Sequence, residues 1–469
     1  MQKWLLAGVF LGVIWLAGGC LIQPIQPTGA TTLPIKGAAG LGDKLFPNAG
    51  NGGYDVQQYD LDLTVDVASN TITGTATLTA LATATLDTFN LDFHALTIDE
   101  LTVNGVETPY QRQEDELVID PLLPVGGNAI FTVTVQYHGR PKPLLFDFYN
   151  TGWLNFTDSI GVGNEPNGAA TWYPVNDHPL DRATYRLRVT VPMPYVVAAN
   201  GRLQKTIPAT DGWNTYVWVM DKPMASYLAA VAIDKFTLQS EPVADDVVLR
   251  NYIAPNISER SLALLEPTAA MLAMLNEAVG PYPYAEYGVV LHNHSPYAME
   301  TQTLSQLSQQ ALRDYGEEVV VHELAHQWFG NSIGLAQWQD VWLKEGFVTY
   351  AEWLWIEKRQ GAAAMRRRIE QIYAHTPGLD LPPATPTVET LYDNSVYYRG
   401  ALTLYALRLH LGDERFFQLL HSYYERYRGG YATTADFIAL AEEVSGEDLT
   451  AFFQAWLYDD KLPPLPSIE

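Results

Sequence analysis

The chain has 469 residues, more than one ordinary hydrophobic core accommodates, which predicts two or three domains. Apolar residues make up 47% and charged residues 17%, a composition that excludes a largely disordered chain. The formal net charge of −25 disfavours nucleic acids and anionic membranes as partners. The acidic surface serves solubility, although attraction of cationic substrates is an alternative interpretation.

The N-terminus has the pattern of an export signal over residues 1–20. Lys3 precedes an apolar stretch that is too short for a comfortable membrane span, and small residues lead to Cys20. This layout resembles a bacterial lipoprotein processing site. We therefore predict a membrane-anchored lipoprotein on the periplasmic or extracellular side, held only by a lipid at Cys20. An ordinary secretory signal with an incidental cysteine is the alternative, and it would give a secreted protein.

Two patterns follow the signal. Residues 21–50 are rich in Pro, Gly and Thr without periodicity, which predicts a flexible linker. From Tyr54 onward apolar and polar residues alternate, as in residues 59–67, and short runs of this kind recur to about residue 236. Many short strands separated by turn residues predict an N-terminal antiparallel β-sheet domain, a saddle or sandwich, over residues 51–242. Because Cys20 is the only cysteine, no disulfide forms within the chain.

After residue 242 the pattern becomes helical and predicts a mainly α domain with a small sheet over residues 243–469. Pro267 marks the start of a helix or a kink in it. A short strand is predicted over residues 287–292. The predicted helices cover residues 262–279, 311–328, 348–359, 363–374, 400–411, 414–427 and 434–444.

Residues 317–329 contain the candidate metal site. This segment has no helix breaker, and His322 and His326 are four residues apart, so both imidazoles lie on one face of a helix. Glu323 adjoins the first ligand and is placed to take a proton from metal-activated water. Eighteen residues separate His326 from Glu345, which can complete a set of two His and one Glu from a second helix. The pattern predicts one catalytic Zn²⁺ per chain; a pair of core histidines is the alternative.

Longer stretches around these residues resemble the aminopeptidase N family of gluzincin metallopeptidases, which includes leukotriene hydrolase. Three of them are HELAHQWFGN, WLKEGF and YAMETQT, the last similar to the GAMEN exopeptidase motif of the family. The resemblance implies a thermolysin-like catalytic domain. It also implies that Glu300 binds the free α-amino group of the substrate, in a substrate loop that includes Ala298 and Met299. Tyr297 and Thr301 stand where the family has Gly and Asn.

Two more segments have counterparts in this family. EPNGAATWYP resembles the part of the N-terminal domain that supplies a second acid to the amine pocket, and Glu165 is the matching position. VYYRGA resembles a segment whose first Tyr donates to the oxyanion, which makes Tyr397 a better candidate than Tyr398. The resemblance extends over residues 54–463 and includes no counterpart of the helical C-terminal domain of the larger members, so we expect a short form.

The sequence therefore predicts a zinc-dependent aminopeptidase that acts on peptides with a free N-terminus. In this interpretation Glu323 is the general base and Tyr397 the oxyanion donor. Two alternative functions use the same zinc chemistry: a gluzincin endopeptidase without amine recognition, and an epoxide hydrolase with a side aminopeptidase activity. A third is a catalytically silent binding protein on the same fold.

Overall fold

The structure is a computed structural model that describes residues 35–145, 150–209, 211–243, 247–294, 296 and 298–466. The strands in these ranges are β1 (Ile35–Lys36), β2 (Tyr54–Asp66), β3 (Thr71–Ala82), β4 (Leu86–Asp92), β5 (Thr97–Val103), β6 (Val106–Glu107), β7 (Tyr110–Gln113), β8 (Glu116–Ile119), β9 (Ile130–Gly139), β10 (Leu144–Leu145), β11 (Asn150–Asn155), β12 (Ile160–Gly163), β13 (Arg182–Pro192), β14 (Val196–Ala199), β15 (Arg202–Pro208), β16 (Trp213–Ala225), β17 (Val231–Asp234), β18 (Thr237–Pro242), β19 (Val248–Ile253), β20 (Glu286–Tyr287), β21 (Val289–His292), β22 (Ser305–Ser308), β23 (Gly334–Leu335) and β24 (Tyr431–Ala432). The helices are α1 (Glu259–Ala263), α2 (Thr268–Ala278), α3 (Gln309–Tyr315), α4 (Glu317–Ala325), α5 (Trp342–Gln360), α6 (Ala362–His375), α7 (Gly400–Leu411), α8 (Asp413–Tyr427), α9 (Thr434–Ser445) and α10 (Thr450–Phe453).

The N-terminal part is built around an eight-stranded sheet with the order β15-β16-β13-β2-β3-β9-β5-β6. Along β2, Tyr59, Leu61 and Leu63 are buried while the intervening polar residues are more exposed, because successive side chains of a strand point to opposite faces. Neighbouring strands are antiparallel, as predicted, except that β13 runs parallel to β2 with Leu187 opposite Leu61. These two strands are joined through a long stretch of chain rather than a hairpin, which permits the parallel crossover.

Two smaller sheets complete this part, with the orders β10-β11-β12-β17-β14 and β1-β4-β8-β7. Between β11 and the segment after β12, the buried rings of Trp153 and Trp172 pack with centroids 6.3 Å apart. This packing fixes the turn that follows β12. Glu165 lies in that turn, two residues beyond the end of β12 at Gly163.

Residues 35–50 fall within the predicted flexible linker but pack against the folded body. Asp43 is only 2% exposed, and its carboxylate accepts a 2.8 Å hydrogen bond from the backbone N–H of Trp338 in the second part of the chain. Periodicity did not reveal this packing because it depends on backbone groups and one acidic side chain rather than on an apolar face. The predicted export signal, Cys20 and linker residues 21–34 lie outside the described residues.

The second part of the chain is mainly α-helical with a sheet near its start, as predicted. The sheet has the order β18-β19-β21-β22, with β20 also paired to β19. Since β18 pairs with β19 from Thr237 to Pro242, the domain boundary predicted after residue 242 falls inside a hairpin of this sheet. Alternation of apolar residues indicates a strand but does not indicate which sheet the strand joins, so the pairing of β18 with β19 could not be predicted.

Two predicted helices are each divided in the structure, and α5 begins at Trp342 rather than at residue 348, so that it includes Glu345. The helix predicted over residues 311–328 is divided into α3 and α4 at Gly316, whose φ of +64° is a conformation that favours glycine. The helix predicted over residues 262–279 is likewise two helices, and α2 begins directly after Pro267. Both differences leave His322 and His326 on consecutive turns at the end of α4.

α5 lies at the centre of the second part and packs against α4, α6 and α7. Most of its 19 residues are buried, among them Trp342 and Trp353, and Glu345 stands in its first turn. Within the described ranges, no helix combines the length and the apolar composition that a membrane-crossing segment needs.

Candidate metal centre and amine pocket

A cavity of about 290 Å³ is lined by residues from both parts of the chain. Its lining combines apolar side chains, among them Leu154, Phe156 and Ile160, with titratable groups that include Asp234, His292 and His294. Every residue that the sequence predicted for the site lines this cavity: Glu165, Ala298, Met299, Glu300, His322, Glu323, His326, Glu345 and Tyr397.

The three predicted metal donors converge at the junction of α4 and α5, where they could hold a metal ion. The Nε2 atoms of His322 and His326 lie 3.4 and 3.6 Å from Oε2 of Glu345. Ligand atoms that each lie about 2.0–2.2 Å from a tetrahedral zinc ion are about 3.3–3.6 Å from one another. The observed separations therefore fit a zinc ion bound between these three residues.

The other ring nitrogen of each histidine is engaged by the protein. His322 Nδ1 lies 2.6 Å from Oε1 of Glu352, and His326 Nδ1 lies 3.1 Å from the backbone oxygen of Phe329. Such contacts place the ring proton on Nδ1 and direct Nε2 toward a metal. Glu352 was not predicted from the sequence, although its position seven residues after Glu345 puts both carboxylates on one face of α5.

Glu323 lies beside the metal donors with its side chain buried. Within the described part of the chain, its Oε2 atom has no hydrogen-bond partner. Burial raises the pKa of Glu323 to about 8, and the charge of a bound zinc ion acts in the opposite direction. A buried carboxylate oxygen with no partner, next to the metal donors, is available to accept a proton.

Glu165 and Glu300 meet in the same cavity although they are far apart in the sequence. One carboxylate oxygen of each lies within 4.8 Å of the other and of a carboxylate oxygen of Glu345. The backbone oxygen of Glu300 accepts hydrogen bonds from Gln327 (3.2 Å) and Asn331 (2.7 Å), which follow the second metal ligand. The segment that carries the metal ligands therefore also holds the loop that carries Glu300.

Lys344, which the sequence analysis missed, joins these carboxylates. Its side chain is completely buried, and its ammonium group forms ion pairs with Glu165 and Glu300. Burial alone would raise the pKa of Glu300, but the nearby Lys344 and His326 lower it to about 2. The signal available in the sequence was a lysine inside the apolar run WLKEGF, next to the metal ligand Glu345.

The two departures from the family's loop motif have different outcomes. Tyr297 lies outside the described residues. Thr301 is buried, does not line the cavity, and donates a hydrogen bond from its hydroxyl to the backbone oxygen of Leu304. The side chain of Thr301 thus stabilises the loop by a hydrogen bond within it. Met299, in the same loop, pairs with Gln306 through two backbone hydrogen bonds of 2.9 and 2.7 Å.

Tyr397 lies in a π-helical turn, Ser395–Arg399, directly before α7. Its ring is nearly parallel to that of His322, with the centroids 6.2 Å apart. Tyr398 does not line the cavity, so the geometry favours Tyr397 as the tyrosine that faces a substrate. Tyr392, also missed by the sequence analysis, lines the cavity and donates a 3.2 Å hydrogen bond to Glu165.

Comparison with known proteins identifies both parts of the chain. Residues 56–228 match the Peptidase M1 N-terminal domain and residues 264–456 match the Peptidase family M1 domain. An M1 zinc metallopeptidase from Deinococcus radiodurans, known from a crystal structure, is 32% identical with a TM-score of 0.86, covering 91% of this chain and 99% of that one. A mutant of an M1 zinc metallopeptidase from the same organism, bound to a Tyr-Ser-Ala substrate, has a TM-score of 0.85, 32% identity and the same coverage.

Curated relatives are longer proteins. Glutamyl aminopeptidase of Mus musculus is 24% identical over 395 residues, which cover 74% of this chain and 40% of the mouse protein. Aminopeptidase M1-B of Oryza sativa subsp. japonica is 25% identical, with 86% of this chain and 50% of the rice protein covered. The chain thus spans half or less of the length of these relatives. The matches confirm the predicted fold class and zinc as the cofactor, and the chain belongs to the M1 family of zinc metallopeptidases.

Proposed function

We propose that this chain is a zinc-dependent aminopeptidase that removes the N-terminal residue from peptides. The proposal depends on one observation: a pair of carboxylates and the set of metal donors line the same cavity. The carboxylates of Glu165 and Glu300, suited to an ammonium group, lie within 4.8 Å of Glu345, which belongs to the metal donors. Relatives named aminopeptidases, and a Deinococcus radiodurans relative solved with a tripeptide substrate, support it.

Each side chain has a distinct task in this proposal. A zinc ion held by His322, His326 and Glu345 would polarise the scissile carbonyl and lower the pKa of a bound water molecule to about 7. Glu323 accepts the proton of that water and passes it to the leaving amine. Tyr397 donates a hydrogen bond to the carbonyl oxygen as negative charge develops on it. Glu300 and Glu165 hold the substrate ammonium, so that the peptide bond after the first residue reaches the metal.

A panel of aminoacyl fluorogenic amides, assayed with and without a chelator, tests the activity. The proposal expects hydrolysis of amides with a free amine, loss of hydrolysis with the chelator, and recovery when zinc is restored. The N-acetylated form of each substrate is the control. Equal hydrolysis of the free and acetylated forms would indicate an endopeptidase without amine recognition. Hydrolysis of neither, by protein with full zinc content, would indicate a silent binding protein.

Two substitutions separate the roles of the acids. Glu323→Gln is expected to abolish turnover while the zinc content stays normal, because the carboxylate accepts the proton but does not bind the metal. Appreciable activity of this variant would overturn the assignment of the base.

Glu300→Ala is expected to impair chiefly the hydrolysis of free-amine substrates. Unaltered hydrolysis of free-amine substrates by this variant would contradict its role in amine binding.

We also propose export and a lipid anchor at Cys20, supported by the sequence pattern of residues 1–20. The expected outcome is that the full chain fractionates with membranes and that Cys20→Ser releases it. Recovery of both forms in the soluble fraction would contradict the anchor.

A further inference from the structure

Residues 43–46 lie outside both family-matched ranges and contact the turn that leads into α5. Asp43 is 2% exposed, and one of its carboxylate oxygens accepts hydrogen bonds from the backbone N–H groups of Leu45 (2.8 Å) and Phe46 (2.9 Å). The other oxygen accepts the 2.8 Å hydrogen bond from the backbone N–H of Trp338. One carboxylate thus joins residues 43–46, which we call the N-terminal brace, to the second part of the chain.

Trp338 is the first residue of a 3₁₀ turn, Trp338–Asp340, that precedes α5. Neither the turn nor α5 is capped by the side chain of the residue before it, which is Gln337 for the turn and Val341 for the helix. The first N–H groups of a helical turn have no partner within the turn, and a negative charge near them is stabilising. Asp43 therefore supplies, from 295 positions away, a cap that the local sequence lacks.

A series of hydrogen bonds connects Asp43 with the backbone of Glu345. The backbone N–H of Trp338 donates to Asp43, and the backbone oxygen of Trp338 accepts from the N–H of Val341 at 3.1 Å. The backbone oxygen of Val341 in turn accepts from the N–H of Glu345 at 3.0 Å. Hydrogen bonds in series polarise and strengthen one another. The start of α5, and with it the backbone that carries Glu345, is therefore fixed in part by the N-terminal brace.

The indole ring of Trp338 provides a second connection. It is completely buried, and the ring of Phe46 lies edge-on to it with the centroids 6.3 Å apart. The ring of Tyr227 also contacts the indole, at a centroid distance of 5.2 Å. The hydroxyl of Tyr227 donates a 3.0 Å hydrogen bond to the backbone oxygen of Gly330, four positions after His326. The indole therefore lies between the N-terminal brace and the segment that follows the histidine ligands.

The environment of Asp43 favours its charged form. Burial alone would raise the pKa of Asp43, but His178, whose Nε2 lies 3.4 Å from Oδ2, and the three backbone N–H donors lower this pKa below its usual value. A hydrogen bond to an ionised acceptor is roughly twice as strong as one between neutral groups. The carboxylate is therefore suited to holding Trp338 in one position.

We propose that Asp43 is a positioning residue of the metal centre, which fixes the start of α5 and so directs Glu345 toward His322 and His326 before the metal binds. Ligands that are already in place lose less conformational freedom on binding, so a preorganised site binds its metal more tightly. The proposal goes beyond the proposed function, because it concerns zinc binding and not the substrate. Its test therefore gives the same result whether or not the chain is an aminopeptidase.

The test is the zinc affinity of full-length Asp43→Ala, measured on metal-free protein by competition with a chelator. Loss of a residue that supports a metal ligand typically weakens metal binding 10- to 100-fold, and Asp43 acts through the backbone, so we expect a loss of about tenfold. The thermal unfolding midpoint of the metal-free protein is recorded on the same samples. A zinc affinity equal to that of the wild type would overturn the proposal.

Leu63→Ala is the control for a general loss of stability. Leu63 is a buried side chain of β2 in the eight-stranded sheet, and its truncation should cost roughly 2–5 kcal/mol. We expect this variant to have a lower unfolding midpoint and an unchanged zinc affinity. Equal weakening of zinc binding in Leu63→Ala and Asp43→Ala would show that Asp43 only supports the fold, and would overturn the proposal.

Asp43→Asn provides the same test if Asp43→Ala does not fold. The amide has nearly the same volume but only one acceptor oxygen, whereas both carboxylate oxygens of Asp43 accept hydrogen bonds from backbone N–H groups. We expect a zinc affinity below that of the wild type, and an unchanged affinity would overturn the proposal. Failure of both variants to fold would also overturn it, since Asp43 would then be required by the fold as a whole.

Discussion

Replacing Tyr397 with Phe removes one hydroxyl from the wall of the cavity and little else. The ring that lies 6.2 Å from that of His322 is retained, so the metal donors keep their neighbour. Deletion of a single oxyanion donor costs roughly 2.7–4 kcal/mol. Since about 1.36 kcal/mol corresponds to tenfold in rate, kcat is expected to fall about 100- to 1,000-fold. KM should stay nearly constant, because the hydrogen bond strengthens only as charge develops on the oxygen.

The assay is steady-state hydrolysis of an aminoacyl fluorogenic amide, with zinc content measured on the same samples. Tyr398→Phe is the matched control, since this neighbouring tyrosine carries the same hydroxyl but does not line the cavity. Its kcat should remain near that of the wild type. A loss below about fivefold in Tyr397→Phe, or an equal loss in both variants, would refute the reasoning.

Three further outcomes follow from other contacts. Glu352→Ala leaves His322 Nδ1 without its hydrogen-bond acceptor. This loss should weaken the zinc affinity about 10- to 100-fold, measured by competition with a chelator. An unchanged zinc affinity would contradict the role of this contact. Arg399→Met removes a buried guanidinium that donates hydrogen bonds to the backbone oxygens of Trp456 (2.8 Å) and Asp459 (2.6 Å). Because hydrogen bonds to charged groups contribute about 1.5–3 kcal/mol each, this substitution should lower the free energy of unfolding by roughly 3 kcal/mol. An unaltered midpoint in a denaturant titration would contradict this expectation. Burial raises the pKa of Glu116 from 4.5 to about 7, so the stability that its protonated form contributes at low pH is lost as the pH rises through this range. The thermal stability of Glu116→Gln relative to the wild type should therefore increase between about pH 5 and pH 8. Glu107→Gln, which replaces an exposed glutamate, is the control and should show no such increase. A stability difference between Glu116→Gln and the wild type that is independent of pH would exclude this explanation.

The convergence of His322, His326 and Glu345 could be predicted from the sequence because it depends on local geometry. The spacing of His322 and His326 fixes both rings on one helical face whatever the rest of the fold, and the position of Glu345 needs only a second helix nearby. The break at Gly316 did not disturb this prediction, because it lies before the first ligand. The alternating pattern of β2 was equally informative, since one face of that strand is buried.

The surroundings of the donors could not be predicted because they depend on contacts between distant segments. Lys344 pairs with residues that are 179 and 44 positions away, and no local pattern shows which carboxylates will meet it. For Asp43 the partner is a backbone N–H 295 positions away, in a stretch whose composition indicated only a linker. The pairing of β18 with β19 could not be predicted for the same reason, since it is decided in three dimensions.

The central claim is that the chain cleaves peptides one residue at a time from a free amine. Mass spectrometry of an unblocked peptide of about six to eight residues, sampled through the reaction with zinc-loaded protein, tests it most directly. We predict a ladder of products that lose residues successively from the N-terminus, and no cleavage of the same peptide when it is N-acetylated. Internal fragments, or the same cleavage of the acetylated peptide, would contradict it.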